Sequence, residues 1–248
     1  MKRLVIKIAD TALELHINFE RTCRICRDFV VEEMPCFCIE CSYDKYDIEK
    51  ERFEQTYNMD APGDIQLEIF SLLHQIADEM ISYDTILIHG AALSYEKEAY
   101  IFSAPSGTGK TTHILKWLDV LSDSFVINGD KPFVKFLEDD DIAPLACGSP
   151  WAGKENMYTN IMVPLKAIIF MERAEDNYIE ELSFSQAFLF LLQQTYMSED
   201  EEKMRKTLRL LQRLNGKVKF YKFFCNNFKD DCFDVAFNKL AGNKQFDK

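Results

Sequence analysis

Apolar residues change their period several times along the chain, and each change predicts an element. Residues 4–8 are a short apolar run, and Leu13, Leu15 and Ile17 alternate with polar neighbours, which predicts a hairpin-like pair of strands. Residues 29–31 and 37–41 predict two more strands, and residues 44–57 are charged and weakly helical. Ala61-Pro62-Gly63 breaks the pattern, so residues 1–62 read as a small N-terminal α/β region and 63–248 as the main domain. From Asp64, the positions Ile65, Ile69, Leu72, Leu73, Ile76 and Met80 recur at helical spacing. Residues 85–88, 93–95, 99–103, 125–128, 133–136 and 165–171 are apolar, strand-like runs. The run at 125–128 lacks amphipathic alternation, as in a strand buried on both faces. Two or three helices close the chain: one over 183–194, and one that Ser198-x-x-Glu201 opens as a capping box and Asn215-Gly216 ends.

Composition narrows the partners. The net charge of −12 repels phosphate backbones and anionic lipid at long range, which argues against nucleic acid and membrane surfaces but leaves room for one local basic pocket. No apolar run approaches the ~18 residues of a membrane span, and Lys7 and Asp10 interrupt the N-terminal run, so a cytoplasmic protein is expected. The eight cysteines include Cys23, Cys26, Cys38 and Cys41 in a C-x2-C-x11-C-x2-C order that looks like a zinc ribbon on paper. Neither pair contains glycine, and a strand over 37–41 places Cys38 and Cys41 on opposite faces. The four are therefore expected to be small buried side chains rather than zinc ligands.

Six of the nine glycines fall between Gly90 and Gly153, so that window needs special backbone or close approach to a ligand. It holds Ala104-Pro-Ser-Gly-Thr-Gly-Lys-Thr111 between a buried strand and a helix, which fits G-x4-G-K-[ST] except at Ala104. Ser106, Gly107, Thr108, Gly109, Lys110, Thr111 and Thr112 are the expected phosphate binders. The glycines let successive N–H groups point inward, Lys110 bridges the β- and γ-phosphates, and Thr111 holds Mg²⁺.

Three further segments belong to the same window. Asp130, at the end of Phe-Val-Ile-Asn-Gly-Asp and 20 residues after Lys110, is positioned to hold Mg²⁺ or take a proton from an attacking hydroxyl. His89 ends an apolar run before Gly90; it either orients the γ-phosphate or the substrate, or is a buried structural histidine. In Gly148-Ser-Pro-Trp-Ala-Gly-Lys-Glu155, Lys154 is a phosphate candidate and Trp151 is either a ligand contact or a core residue. Arg173, after the strand at 165–171, is a candidate for charge stabilisation.

Together H-G-A-A-L, A-P-S-G-T-G-K-T-T-H, I-N-G-D-K-P and G-S-P-W-A-G-K-E resemble the HPr kinase/phosphorylase-like P-loop family. That family shares its nucleotide-binding core with phosphoenolpyruvate carboxykinase. The resemblance covers about residues 64–240. It implies an α/β core sheet with helices beside the small N-terminal region, with 63–248 as a P-loop nucleotide-binding, kinase-like domain. It further implies ATP with Mg²⁺ and phosphoryl transfer to a hydroxyl, with His89 and Asp130 catalytic alongside Lys110. Asp130-Lys131 stands where HPr kinases carry two adjacent acids. Related kinases that act on ribosomally made peptides make a peptide hydroxyl one acceptor, beside a protein or a small molecule. The alternative is a nucleotide-binding regulatory or assembly module with little or no transfer. The sequence leaves the acceptor, the choice of ATP or GTP, and the oligomeric state open, a homo-oligomer included.

Overall fold

The computed structural model describes residues 1–105 and 107–242. The chain opens with β1 (Lys2–Ile8) and β2 (Thr11–Ile17), an antiparallel hairpin turned by Ala9 and Asp10 at φ of 48° and 61°. α1 (Glu20–Ile25) follows, then β3 (Phe37–Glu40), which pairs parallel to β2. The strand expected at 29–31 is absent. Arg27–Phe29 is a 3-10 turn and Val30 makes a single bridge to Ile6. Phe29 is fully buried, so its apolar signal reports packing and not a ladder.

α2 (Tyr43–Tyr57) precedes α3 (Asp64–Met80), which starts immediately after Pro62-Gly63. Leu72, Leu73, Ile76 and Met80 lie on its buried face, as their spacing predicts. They pack against Ile6, Leu13, Leu15 and Ile17 of the hairpin. A buried carboxylate ties the same two parts together. Glu68 on α3 is fully buried and accepts from Asn18 N (2.7 Å), Phe19 N (3.2 Å), Thr22 Oγ1 (2.6 Å) and Tyr46 Oη (2.9 Å). Four donors compensate a desolvation that would otherwise be prohibitive.

The remaining strands form one mixed sheet. In chain order they are β4 (Thr85–Leu87), β5 (Ala91–Tyr95), β6 (Glu98–Ser103), β7 (Phe125–Asn128), β8 (Phe133–Lys135), β9 (Leu145–Cys147), β10 (Met162–Arg173), β11 (Tyr178–Leu182) and β12 (Lys219–Cys225). α4 (Lys110–Val120) lies between β6 and β7; α5 (Phe184–Gln194) and α6 (Glu201–Gln212) lie before β12, and α7 (Cys232–Ala241) after it. The long strand β10 joins two branches. Its residues 162–164 pair with β9, which leads through β8 to β4. Its later residues pair in parallel with β6 on one side and β12 on the other. α4 and α7 cover one face and α5 and α6 the other, each over its own apolar core.

Strand direction fixes where chemistry can gather. β6, β10 and β12 run parallel. β5 is antiparallel to both β6 and β7, so β7 runs with β6. Four carboxyl ends therefore point the same way, in the order β12, β10, β6, β7, with the start of β5 between the last two. The crevice beyond such ends is where α/β sheets bind ligands. No helix among the described residues is long and apolar enough to cross a membrane.

Candidate functional site

The glycine-rich loop leaves the end of β6 and enters α4, the expected order of strand, loop and helix. Ser106 lies outside the described residues. Gly107 and Gly109 take φ of +80° and +110°, conformations that favour glycine. Gly109 is also crowded: a Cβ there would sit 2.1 Å from Asn227 Nδ2, which donates to the Gly109 carbonyl at 3.3 Å. Thr108 folds back on Pro105, its N–H and hydroxyl both donating to the Pro105 carbonyl (3.3 and 2.9 Å). Arg173, at the end of β10, donates to the Gly107 carbonyl, so the strand beside β6 brings it to the loop.

Lys110 is the first residue of α4, and its ammonium donates to the Ala104 carbonyl at 2.6 Å. Burial lowers its pKa, with Lys131 adding to the effect and Asp130 opposing it. Thr111 is half-buried and Thr112 exposed on the first turn. One turn on, His113 is fully buried and accepts from Trp117 Nε1 at 3.0 Å. Burial takes its pKa down to about 3. It is a neutral packing residue, and Trp117 in turn meets the rings of Tyr100, Phe102 and Phe233.

Asp130 and His89 face each other because β5 starts where β7 ends. His89 Nε2 lies 3.4 Å from Asp130 Oδ1, and each side chain is 33% exposed. The backbone locks the pair: Gly90 N donates to the Asp130 carbonyl (3.0 Å), and Ser103 Oγ at the end of β6 donates to the His89 carbonyl (2.7 Å). Asn128 shapes the turn, its fully buried amide oxygen accepting from the N–H groups of Asp130 and Lys131 (2.9 and 2.6 Å). Its amide nitrogen donates to the Ser149 carbonyl and hydroxyl oxygens. Burial pushes the Asp130 carboxyl up, but the His89 contact and the charges of Lys131, His89 and Lys110 outweigh it, and the net shift is downward. Burial lowers the Lys131 ammonium, whose Nζ is 3.9 Å from Asp130 Oδ2.

The segment 148–155 supports this turn rather than reaching into it. A Cβ on Gly148 would be 2.0 Å from the Thr159 carbonyl oxygen, and one on Gly153 would be 2.9 Å from Asp130 Cβ. Trp151 is 5% exposed and donates to the Ile69 carbonyl at 3.1 Å, so it is a core residue. Lys154 stands exposed, with no side-chain hydrogen bond or ion pair among the described residues.

A cavity of about 180 Å³ opens beside His89 and Lys131. Leu73, Leu87, His74, Gln193, Gln194 and Tyr196 contribute to its wall. Among the described residues, the buried Gln194 Oε1 has no hydrogen-bond partner. An orphaned acceptor beside polar space suits a donor group from outside the chain. Sequence reading did not single out Gln194, Tyr196, Asn128 or Asn227. Only Asn128 carried a local signal, through its place in the I-N-G-D segment.

Among the described residues, the four ribbon cysteines do not gather into one cluster. The expected burial holds for Cys26 and Cys41, but Cys23 is only half-buried and Cys38 is exposed, because β3 turns it to the outer face. Cys38 instead lies near Glu14 and His16 on the outer face of the N-terminal sheet.

No protein-family model matches the chain, and no curated protein matches it. Among solved structures it is similar to the HPr(Ser) kinase/phosphatase from Coxiella burnetii, over 52% of this chain and 90% of that one, at 11% identity and a TM-score of 0.31. At so low a score, the reading of the site rests on its own residues.

Proposed function

We propose that the chain is an ATP- and Mg²⁺-dependent kinase that transfers a phosphoryl group to a hydroxyl of a peptide, protein or small molecule. The observation that carries this reading is the meeting of the Asp130–His89 pair with the Lys110 loop at one edge of the sheet. A phosphate loop alone binds phosphate; a half-buried ionised carboxylate one strand pair away gives it something to do.

The residues fit the ligands. Gly107 has open space where a side chain would be, and the loop leads into the positive end of α4, which favours anions. Lys110 is a partly desolvated cation whose one hydrogen bond among the described residues is to a carbonyl, so an anion can displace that contact with gain. Arg173 adds a second cation at the loop, and exposed Lys154 is a further phosphate candidate. The Thr111 hydroxyl and Asp130 carboxylate supply the oxygen ligands that Mg²⁺ prefers. When bound, the metal neutralises phosphate charge during transfer.

In the reaction, Asp130 accepts the proton of the acceptor hydroxyl and His89 holds the carboxylate in place. The acceptor oxygen forms the new bond to the γ-phosphorus as the bond to the β-phosphate oxygen breaks. Lys110 and the loop N–H groups stabilise the charge that collects on the leaving diphosphate. The cavity beside His89 is the entrance for the acceptor, with Gln194 Oε1 free to take one of its donors.

Binding is the first test. Charge-assisted hydrogen bonds are worth about 1.5–3 kcal/mol. Lys110→Ala is therefore expected to weaken Mg·ATP binding roughly 10- to 100-fold, at ~1.4 kcal/mol per decade. Its melting temperature without nucleotide should stay near that of the wild type. Unchanged affinity in titration calorimetry would remove the phosphate-loop reading. The second test incubates the protein with γ-labelled ATP and candidate hydroxyl acceptors and scores products by mass. Binding without transfer to any of them would favour a regulatory module.

A further inference from the structure

Phe228 is 99% exposed, more than any other large apolar side chain among the described residues. It does not hang on a loose tail. Its N–H donates to Asn226 Oδ1 (3.1 Å), Asn226 N donates to Asn177 Oδ1 (2.6 Å), and Lys229 N donates to the Asn226 carbonyl (3.0 Å). Lys229 Nζ pairs with Asp176 at 2.5 Å, so the loop after β12 is stitched to the loop after β10. The loop backbone is thus held, and it presents the Phe228 ring to solvent beside Asn227, whose amide touches Gly109 at the mouth of the phosphate loop.

Strand order gives a bound nucleotide a direction. The reacting phosphate belongs at the Asp130–His89 pair, on the β7 side of the loop. The rest of the molecule must then run the other way, across the ends of β10 and β12. β7 and β12 are four strand spacings apart, about 19 Å at ~4.8 Å each. The end of that path is the Asn226–Lys229 turn, and Phe228 is the flat apolar surface there. A purine or pyrimidine base has a π-face that stacks on such a ring whatever its edge pattern.

We propose that Phe228 is the platform on which the nucleotide base stacks. The inference rests on the proposed nucleotide binding and adds to it the site that holds the base. Because the ring offers a face and no hydrogen-bonding group, this subsite takes adenine and guanine nucleotides with similar affinity. Asn227 beside it links the platform to the phosphate loop, so base and phosphates are read by one connected surface.

The test compares Mg·ATP, Mg·GTP and Mg·tripolyphosphate by titration calorimetry on the wild type, Phe228→Ala, Phe228→Trp and Lys110→Ala. Phe228→Ala is expected to weaken both nucleotides about 10-fold and to leave tripolyphosphate unchanged. Phe228→Trp is expected to restore nucleotide affinity, and Lys110→Ala to weaken all three ligands. Because the ring packs against little, the thermal melts of the Phe228 variants should overlay that of the wild type. Nucleotide affinity unchanged in Phe228→Ala overturns the platform, as does an equal loss for tripolyphosphate. A wild type that binds tripolyphosphate but not nucleotides also overturns it while leaving the phosphate loop standing. A wild type that binds none of the three removes the phosphate reading itself.

Discussion

A general base for a hydroxyl must be ionised when the substrate arrives, and Asp130, the base we propose, is kept ionised by its neighbours. Burial favours its neutral form, but His89, Lys131 and Lys110 together hold its pKa below the ordinary carboxylate value. The sign is that of a depressed acid. The group stays charged above its ordinary ~3.9 and protonates only below it. Loss of Asp130 ionisation should therefore not limit transfer anywhere between pH 5 and 8. Asp130→Asn keeps the shape but removes the charge and the base. Nucleotide binding should stay within about tenfold, ~1.4 kcal/mol, while transfer falls at least ~100-fold, the usual cost of losing acid–base help. Binding and transfer measured on one preparation, with circular dichroism for folding, check this; wild-type transfer would make Asp130 a turn residue. Lys110, Asp130 and His89 could be picked out from sequence because each sits in a short segment next to glycine. Gln194, Tyr196 and Asn227 could not, because their contribution depends on the ends of α5 and β12 folding back beside residues about 60 to 120 positions away. For Trp151 the sequence left core and ligand contact open, and only packing decided.

At the scale of elements, α4 shows how a loop of backbone groups is kept in place. Its inner face carries His113, Ile114 and Trp117, all fully buried under aromatic rings. His113 has no charge to spare there, with a pKa near 3 against ~6.5 in an unfolded chain. The unfolded state then binds the extra proton, so this histidine costs stability as pH falls through 6.5. At ~1.4 kcal/mol per unit, the loss is about 2 kcal/mol by pH 5. His113→Gln, whose amide oxygen can still accept from Trp117, should be less stable than the wild type at pH 7. The gap should narrow by about 2 kcal/mol at pH 5 in urea titrations; a constant gap would mean that His113 protonates in place. The helices and strands with a clean period were legible, α3 and β6 above all. β11 and β12 were not, because Lys219 and Lys222 fall three apart and Glu180 and Glu181 are adjacent, so neither Lys219–Cys225 nor Tyr178–Leu182 shows the period-2 alternation of a half-buried strand. α6 was displaced at its start. Asp200, not Ser198, caps it through Lys203 N at 2.9 Å, because Ser198 is buried and donates to Asp78 (2.5 Å). The reciprocal capping box belongs instead to Ser183 and Gln186 on α5.

At the scale of the whole molecule, the break at 61–63 is a boundary in sequence, yet the first core does not stop there. Hairpin residues Leu13 and Leu15 share it with Leu72 and Ile76 of α3, and also with Leu87, Phe133, Cys147 and Trp151 of the large sheet's β4–β8–β9 branch and its neighbouring loop. Glu68 adds four hydrogen bonds across the same junction. Unfolding the N-terminal region alone would expose that apolar face of α3 and remove all four of the donors that Glu68 uses. We therefore predict one cooperative transition, and the two tryptophans make it measurable. Trp151 belongs to the first core and Trp117 to the core under α4 and α7, so each reports on a different part of the molecule. Trp151→Phe leaves Trp117 as the only indole, and Trp117→Phe leaves Trp151. Each variant costs stability, the first partly through the lost bond to the Ile69 carbonyl, so midpoints are compared within a variant. In each, the fluorescence transition in urea should coincide with the loss of far-ultraviolet circular dichroism, as two-state unfolding requires. If Trp151 fluorescence instead changes at clearly lower urea than the circular dichroism, the N-terminal region melts as a separate unit. The glycine-rich loop would then be carried by the large sheet alone.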